Sequence, residues 1–191
     1  MLSGKTLGLV GCGNLGRALL PLLQPFSRDI LVHDPWIQPA VLREMNVEPC
    51  GLMEVFQRSR VVFILAATIT ENQYGLNERF FEAMQRGSIV VLVSRGGVVH
   101  WDDLLDAAAS GHIRAAIDVF PDEPIARDAR VRDTPNTILS AHCAGNVPEV
   151  WTQMGEMVVD DLEWILRGLP PQRMQRATQG IVSRLRSKPV G

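Results

Sequence analysis

The feature that most constrains this chain is a glycine turn, Gly11-Cys12-Gly13-Asn14-Leu15-Gly16, together with what flanks it. Before it, Thr6–Val10 is a short apolar run of strand length. After it, Arg17-Ala18-Leu19-Leu20-Pro21-Leu22-Leu23 reads as a helix with a broad apolar face. A second apolar run, Ile30–His33, ends on Asp34. A glycine hexamer alone says little, but strand, glycine turn, helix, strand and acid in this order form a dinucleotide-binding fingerprint. Gly11 allows the tight turn, Gly13 lets backbone approach a pyrophosphate, and Gly16 lets helix and strand pack closely. The start of the helix, at Asn14 and Leu15, can then direct N–H groups at the phosphates. Asp34 lies eighteen residues past Gly16, where its carboxylate can accept hydrogen bonds from the adenosine ribose. That choice favours NAD, because a carboxylate repels the 2′-phosphate of NADP.

The remaining composition narrows the class. At 191 residues the chain is long enough for one good-sized domain and too short for two full ones. A net charge of −2 offers no electrostatic case for nucleic acid or an anionic membrane as partner. No apolar run approaches the roughly 20 residues of a membrane span, and the N-terminus enters a strand without a secretion signal. Cys12, Cys50 and Cys143 are scattered and odd in number, off metal-ligand spacing. Neither a disulfide framework nor a metal site is expected, and the simplest location is cytoplasmic.

Apolar runs alternate with helical stretches nearly to the end. Strands are predicted at Thr6–Val10, Ile30–His33, Val61–Ala66, Ile89–Val93, Ile113–Ile117 and Thr137–Ser140, with a weaker one at Val47–Pro49. Helices are predicted at Asn14–Gln24, Pro39–Met45, Leu52–Ser59, Asn77–Gln85 and Trp101–Ser110. Strands this apolar should be parallel and buried on both faces. The expected fold is α/β, a doubly wound parallel sheet of Rossmann type in a single domain, with the ligand at the carboxyl edge of the strands. A last helix should run from Pro148 to about Arg167. Asn146 is its expected N-cap, and Gly168, Pro170 and Pro171 stop it. Val147, Val150, Trp151, Met154, Val158, Leu162 and Ile165 repeat at helical spacing and should face the core. The domain is thus assigned to residues 1–171. Residues 172–191, basic and aperiodic (Arg173, Arg176, Arg184, Arg186, Lys188), read as a return segment and solvated tail.

Three consecutive strands should deliver polar groups to that carboxyl edge: Ser94-Arg95-Gly96-Gly97, then Asp118 with Glu123 soon after, then Ala141-His142. Singly, each has an ordinary reading: a turn arginine, a solvated loop acid, a structural histidine. Together they suit hydride transfer to an oxo acid. Arg95 can hold a substrate carboxylate in a bidentate pair. His142 can donate a proton to the carbonyl oxygen and take it back in reverse. Glu123 can accept from the other ring nitrogen and so orient the imidazole. Asp118 is better placed for a nicotinamide or the local backbone. Cys143 adjoins His142, but neighbours after a strand point to opposite faces, so a nucleophile–base pair is not expected.

From Gly4 to about Pro171 the chain resembles the nucleotide-binding domain of the D-isomer-specific 2-hydroxyacid dehydrogenases. The resemblance rests on Gly11–Gly16, His33-Asp34-Pro35, Ser94-Arg95-Gly96-Gly97, Asp118–Pro124 and Ala141-His142. It implies Arg95, Glu123 and His142 as the catalytic trio and Asp118 as the acid that contacts nicotinamide. Ala66, Ala67, Ser94, His142 and Gly145 are the further cofactor contacts, beside Gly11, Gly13, Asn14, Leu15, Gly16 and Asp34. It also implies a homodimer built through the nucleotide-binding domains and a small 2-oxo or 2-hydroxy acid as substrate. Two departures stand out. The family's loop after the fourth strand has His or Cys and then Pro before a Leu-Thr pair, whereas this chain has Ala66-Ala67-Thr68-Ile69-Thr70. The family's N-terminal substrate domain is absent, so the chain looks like a fragment and weak or no turnover is expected of it. The reading from another class is a non-catalytic NAD(H)-binding dimerisation or sensor module, since fold alone does not fix function. Against it stands the proton donor, for which a pure binder has no need.

Overall fold

The computed structural model describes residues 1–174 and 178–185. The chain alternates strand and helix: β1 (Leu7–Val10), α1 (Asn14–Leu23), β2 (Ile30–His33), α2 (Pro39–Glu44), β3 (Glu48–Pro49), α3 (Leu52–Arg58) and β4 (Val61–Ile64). It continues through α4 (Glu78–Glu82), β5 (Ser88–Leu92), α5 (Trp101–Ala109), β6 (Ile113–Ile117), β7 (Thr137–Leu139), α6 (Pro148–Leu166) and α7 (Gln179–Val182). The strands form one sheet in the order β3-β2-β1-β4-β5-β6-β7, every pair parallel. This is the doubly wound α/β fold expected from the pattern, with the weak run at 47–49 serving as the edge strand. The chain winds outward from β1 to β3, then crosses back to β4. The crevice beyond the carboxyl ends of β1 and β4 is therefore the switch point where ligands bind in such sheets.

Two apolar layers hold the sheet. On one face Val55, Phe56, Phe80, Phe81, Leu104 and Leu105, from α3, α4 and α5, pack over Val62, Ile64, Val90 and Leu92. Phe56 sits at its centre, with the rings of Phe80 and Phe81 at 5.2 and 6.2 Å. On the other face Leu20, Leu23 and Leu42, from α1 and α2, cover Leu7, Leu9, Ile30 and Val32.

Burial on both faces holds for β1 and β2 but not for the β5–β7 half of the sheet. There Ile89 and Val91 are only half-buried, Arg114 is exposed, and Ile138 is 76% exposed. The apolar stripe of α6 is left uncovered as well. Val147, Val150, Trp151, Met154, Val158, Leu162 and Ile165, expected in the core, are 38% to 59% exposed. Periodicity correctly marks an apolar stripe, but it does not say what covers that stripe. The N-terminus of α6 also differs from expectation. Val147 occupies the cap position without a side-chain bond, while the Asn146 side-chain oxygen accepts from the Trp151 indole N–H at 2.8 Å. The helix stops as expected: Gly168 takes φ +76°, and the N–H groups of Gly168 and Leu169 close on the carbonyls of Ile165 and Trp164.

Past α6 the chain turns back on Asp161, the buried residue of that helix. Its carboxylate accepts from the backbone N–H groups of Gln172, Arg173 and Met174. Residues 178–185 then return to the carboxyl edge of the sheet. Leu185 bridges to Ile69, and the Thr70 N–H donates to the Arg184 carbonyl at 3.1 Å. The sequence reads this stretch as part of a solvated tail; Arg176, Arg186 and Lys188 lie outside the described residues. Among the described residues, no helix is long and apolar enough to cross a membrane.

The tightest backbone approach at the carboxyl edge is at Gly96. A Cβ there would stand 2.3 Å from the Phe120 carbonyl carbon. Gly96→Ala is expected to lower stability by about 3 kcal/mol, the upper end of overpacking costs. Gly155→Ala, in open space on α6, should leave stability unchanged or raise it, because alanine favours helix interiors. Urea denaturation midpoints of the two variants check both outcomes.

Candidate active site

A cavity of about 960 Å³ occupies the switch-point crevice, lined by Gly11, Gly13, Asn14, Leu15, Asp34, Ala66 and Ala67 among others. The glycines divide the work as the sequence pattern implies. Gly11 has φ +94°, and a Cβ on it would lie 2.8 Å from the Ala66 nitrogen. Gly16 packs under the turn, where a Cβ would stand 2.9 Å from the Gly11 carbonyl oxygen. Gly13 faces open space, with no atom within 4 Å of where its Cβ would be. A bare backbone at the start of a ten-residue helix, open on one side, is the cradle a pyrophosphate needs, so these residues fit NAD.

Asp34 does more than wait for a ribose. Its carboxylate accepts from the Cys12 N–H at 2.7 Å and the Trp36 N–H at 2.9 Å, tying the end of β2 to the glycine turn. A carboxylate has lone pairs enough to accept further bonds from a ribose. Cys12 itself is fully buried; burial, and then the Asp34 charge, push its thiol up from the ordinary range.

The other wall of the cavity includes residues the sequence reading missed: Trp36, Ile69, Glu71, Asn72 and, from the returning segment, Gly180, Arg184 and Leu185. Asn72 staples the loop after β4. Its side chain accepts from the Ile69 N–H and donates to the Ala67 carbonyl, both at 2.8 Å. The signal for it was an asparagine three residues past Ile69, the spacing of a local side-chain turn. The Arg184 guanidinium lies 5.3 Å from the centre of the Trp36 ring and 3.8 Å from the Glu71 carboxylate. Nothing local in the sequence announces that contact, because the partners are far apart along the chain.

At the neighbouring strand ends the structure joins Glu123 to His142. The His142 Nδ1 stands 2.6 Å from one Glu123 oxygen, and the other accepts from the Phe120 N–H at 2.8 Å. A carboxylate only accepts, so the proton of this bond belongs to Nδ1, and Nε2 is left for exchange with a ligand. Both side chains are largely buried, at 27% and 20% exposure. Asp118 contacts the local backbone, accepting from the Cys143 and Ala144 N–H groups at 3.0 and 3.1 Å and from the Ser140 hydroxyl. Burial pushes the Asp118 carboxyl up. The bonds from Ser140, Ala144 and Cys143, with the His142 charge, outweigh that and hold it below the usual range.

Arg95 is not brought to the pair. It is exposed, and its guanidinium donates to the Ser94 carbonyl at 2.6 Å. Ser94, Asp118, His142 and Gly145 lie outside the large cavity. The Ser94 and Thr68 hydroxyls, at the ends of β5 and β4, are buried without a hydrogen-bond partner among the described residues. Such orphaned groups suit an edge that takes up a polar ligand. Gly13→Ala is expected to keep wild-type stability yet weaken NADH binding at least about tenfold, because the added methyl intrudes only on the phosphate path. Gly11→Ala should lose stability, since φ +94° and the Ala66 contact both oppose it. Calorimetric NADH titration beside thermal melts separates the two.

The profile of the family described as D-isomer specific 2-hydroxyacid dehydrogenase, NAD binding domain, matches residues 1–144. Among solved structures, a phosphoglycerate oxidoreductase from Rhizobium etli superposes with a TM-score of 0.79 at 41% identity, over 90% of this chain and 55% of that one. Glyoxylate reductase of Korarchaeum cryptofilum is 33% identical over 170 residues, which are 88% of this chain and 51% of that protein. Human D-3-phosphoglycerate dehydrogenase is 31% identical over 168 residues, covering 87% of this chain and 31% of that protein. The chain thus spans between about a third and about half the length of these curated relatives. It belongs to the D-isomer specific 2-hydroxyacid dehydrogenase family, of which it carries the NAD-binding domain.

Proposed function

We propose that this chain is the NAD-binding and catalytic-residue portion of a D-2-hydroxyacid dehydrogenase, acting between NAD(H) and a small 2-oxo or 2-hydroxy acid. The observation that carries the reading is the Glu123–His142 pair, at 2.6 Å, on the same sheet edge as the glycine turn. Bound NADH supplies the hydride. Glu123 fixes the imidazole through Nδ1, and the Nε2 proton passes to the substrate carbonyl oxygen as that oxygen gains negative charge. In the reverse direction Nε2 takes the proton from the hydroxyl. Arg95, exposed and bonded to its own loop carbonyl, swings from Ser94 to the substrate carboxylate. The names of the relatives point to glyoxylate, hydroxypyruvate and a phosphoglycerate, which share a carboxylate beside an oxygen-bearing carbon and differ beyond it. That shared part defines the proposed substrate class.

A second reading, a non-catalytic NAD(H)-binding dimerisation or sensor module, draws support from the exposed stripe of α6 and the half-covered face of the β5–β7 half of the sheet. Both readings include a homodimer through this domain. Sedimentation at micromolar concentration is expected to give a dimer, and Val158→Glu with Ile165→Glu a monomer. A monomeric wild type overturns the dimer.

In the complete protein, with glyoxylate, hydroxypyruvate or pyruvate, His142→Ala is expected to lower NADH oxidation by at least about 100-fold, within the range for loss of a general acid. NADH affinity should stay within about twofold. Loss of turnover and binding together would make His142 a structural residue. A wild-type chain without turnover, whose self-association changes with NADH, would favour the second reading.

A further inference from the structure

The resemblance assigns Asp118 to the nicotinamide; in the structure its carboxylate also holds the loop that carries His142. We propose that Asp118 and Ser140 form a clamp that positions the His142 imidazole, a role that rests on the reading of His142 as the proton carrier.

His142 sits in the left-handed region at φ +50°, an uncommon conformation for a residue with a Cβ, and the surrounding bonds hold it there. Those surroundings are specific. Asp118 is 4% exposed, and its own N–H is fixed to the Leu92 carbonyl of β5 at 3.0 Å. The Ser140 N–H continues the β7 ladder onto the Ile117 carbonyl at 2.9 Å. Between these anchored strand ends, the Asp118 carboxylate takes three hydrogen bonds: the Ser140 hydroxyl at 2.5 Å, the Cys143 N–H at 3.0 Å and the Ala144 N–H at 3.1 Å. One donor precedes His142 in the chain and two follow it. The turn is therefore pinned on both sides of the strained residue, which aims Nδ1 at Glu123 and leaves Nε2 facing away.

Ser140 is the informative member of the clamp. Its hydroxyl shares one Asp118 oxygen with the Cys143 N–H, so it fixes the rotation of the carboxylate on which both backbone bonds depend. It has no bond to the Glu123–His142 pair, nor does it line the cofactor cavity. It acts on the imidazole only through Asp118, as a positioning residue.

The test is nuclear magnetic resonance of the isotope-labelled chain, with NADH affinity measured in parallel. A proton held between Nδ1 and a carboxylate at this distance gives a far-downfield, slowly exchanging signal. Ser140→Ala is expected to abolish it and to speed hydrogen exchange at the Cys143 and Ala144 amides at least about tenfold, while NADH affinity stays within about twofold. Ser140→Thr, which keeps the hydroxyl, should restore signal and protection, and Asp118→Asn should reproduce the loss. The clamp is overturned if Ser140→Ala keeps the signal and the protection. It is also overturned if that variant loses NADH binding together with them, which would make Ser140 a fold residue. Retention of the signal in Ser140→Ala, with weakened NADH binding only in Asp118→Asn, returns Asp118 to nicotinamide contact. None of these readouts needs turnover, so failure of the clamp and failure of the dehydrogenase reading are separate results.

Discussion

Every strand of this sheet runs the same way, and the site follows from that constraint. Parallel pairing forces each connection to cross back over a face, so each strand delivers its carboxyl end to one edge. The glycine turn after β1, Asp34 after β2, the Ala66–Ala67 loop after β4, Ser94 and Arg95 after β5, Asp118 after β6 and His142 after β7 all collect there. Reversal of strand order at β1 opens the crevice between β1 and β4, and the bare backbone of Gly13 keeps that crevice open.

Carboxylates hold the loops of this edge in shape. Asp34 ties down the glycine turn, Glu123 holds the Phe120 backbone as well as His142, and Asp118 holds the two residues after His142. Asp161 plays the same part where the chain leaves α6. For Asp118 and Asp161 burial pushes the carboxyl up, yet accepted hydrogen bonds prevail, led by the Ser140 hydroxyl at Asp118 and by backbone N–H groups at Asp161, and hold both below the ordinary value of 3.8. A depressed folded-state value means that each contributes stability fully above the unfolded value and loses it as pH falls through the folded one. Acid below about pH 4 therefore loosens the His142 loop and the turn after α6 by the same chemistry.

The fold was legible because its signals are local. Short, mostly apolar runs separated by amphipathic stretches mark each strand to within a residue or two, and the glycine spacing marks the turn. Glu123 and His142 were legible through the strand-end rule. Three things were not. The destination of the α6 stripe could not be read, since Val158 and Ile165 have the same spacing whether a core or a partner covers them. Arg184 lies on Trp36 through a return of the chain that no periodicity encodes. Arg95 was read correctly as a strand-end residue, but its guanidinium bonds to Ser94, a choice among rotamers that sequence does not report.

The return of residues 178–185 to the cavity gives the molecule a marked polarity. The first residues sit at the amino edge, where the Gly4 N–H bonds to the Phe26 carbonyl before β1 begins. Gly180, Arg184 and Leu185 stand beside the dinucleotide crevice at the opposite edge. One dye near Ser3 and another within 178–185 would thus bracket the sheet along its strands. With Trp101, Trp151 and Trp164 replaced, indole emission from Trp36, under the Arg184 guanidinium, would register the crevice itself. Two labels at these places would make an optical ruler whose far mark lies at the mouth of the binding site.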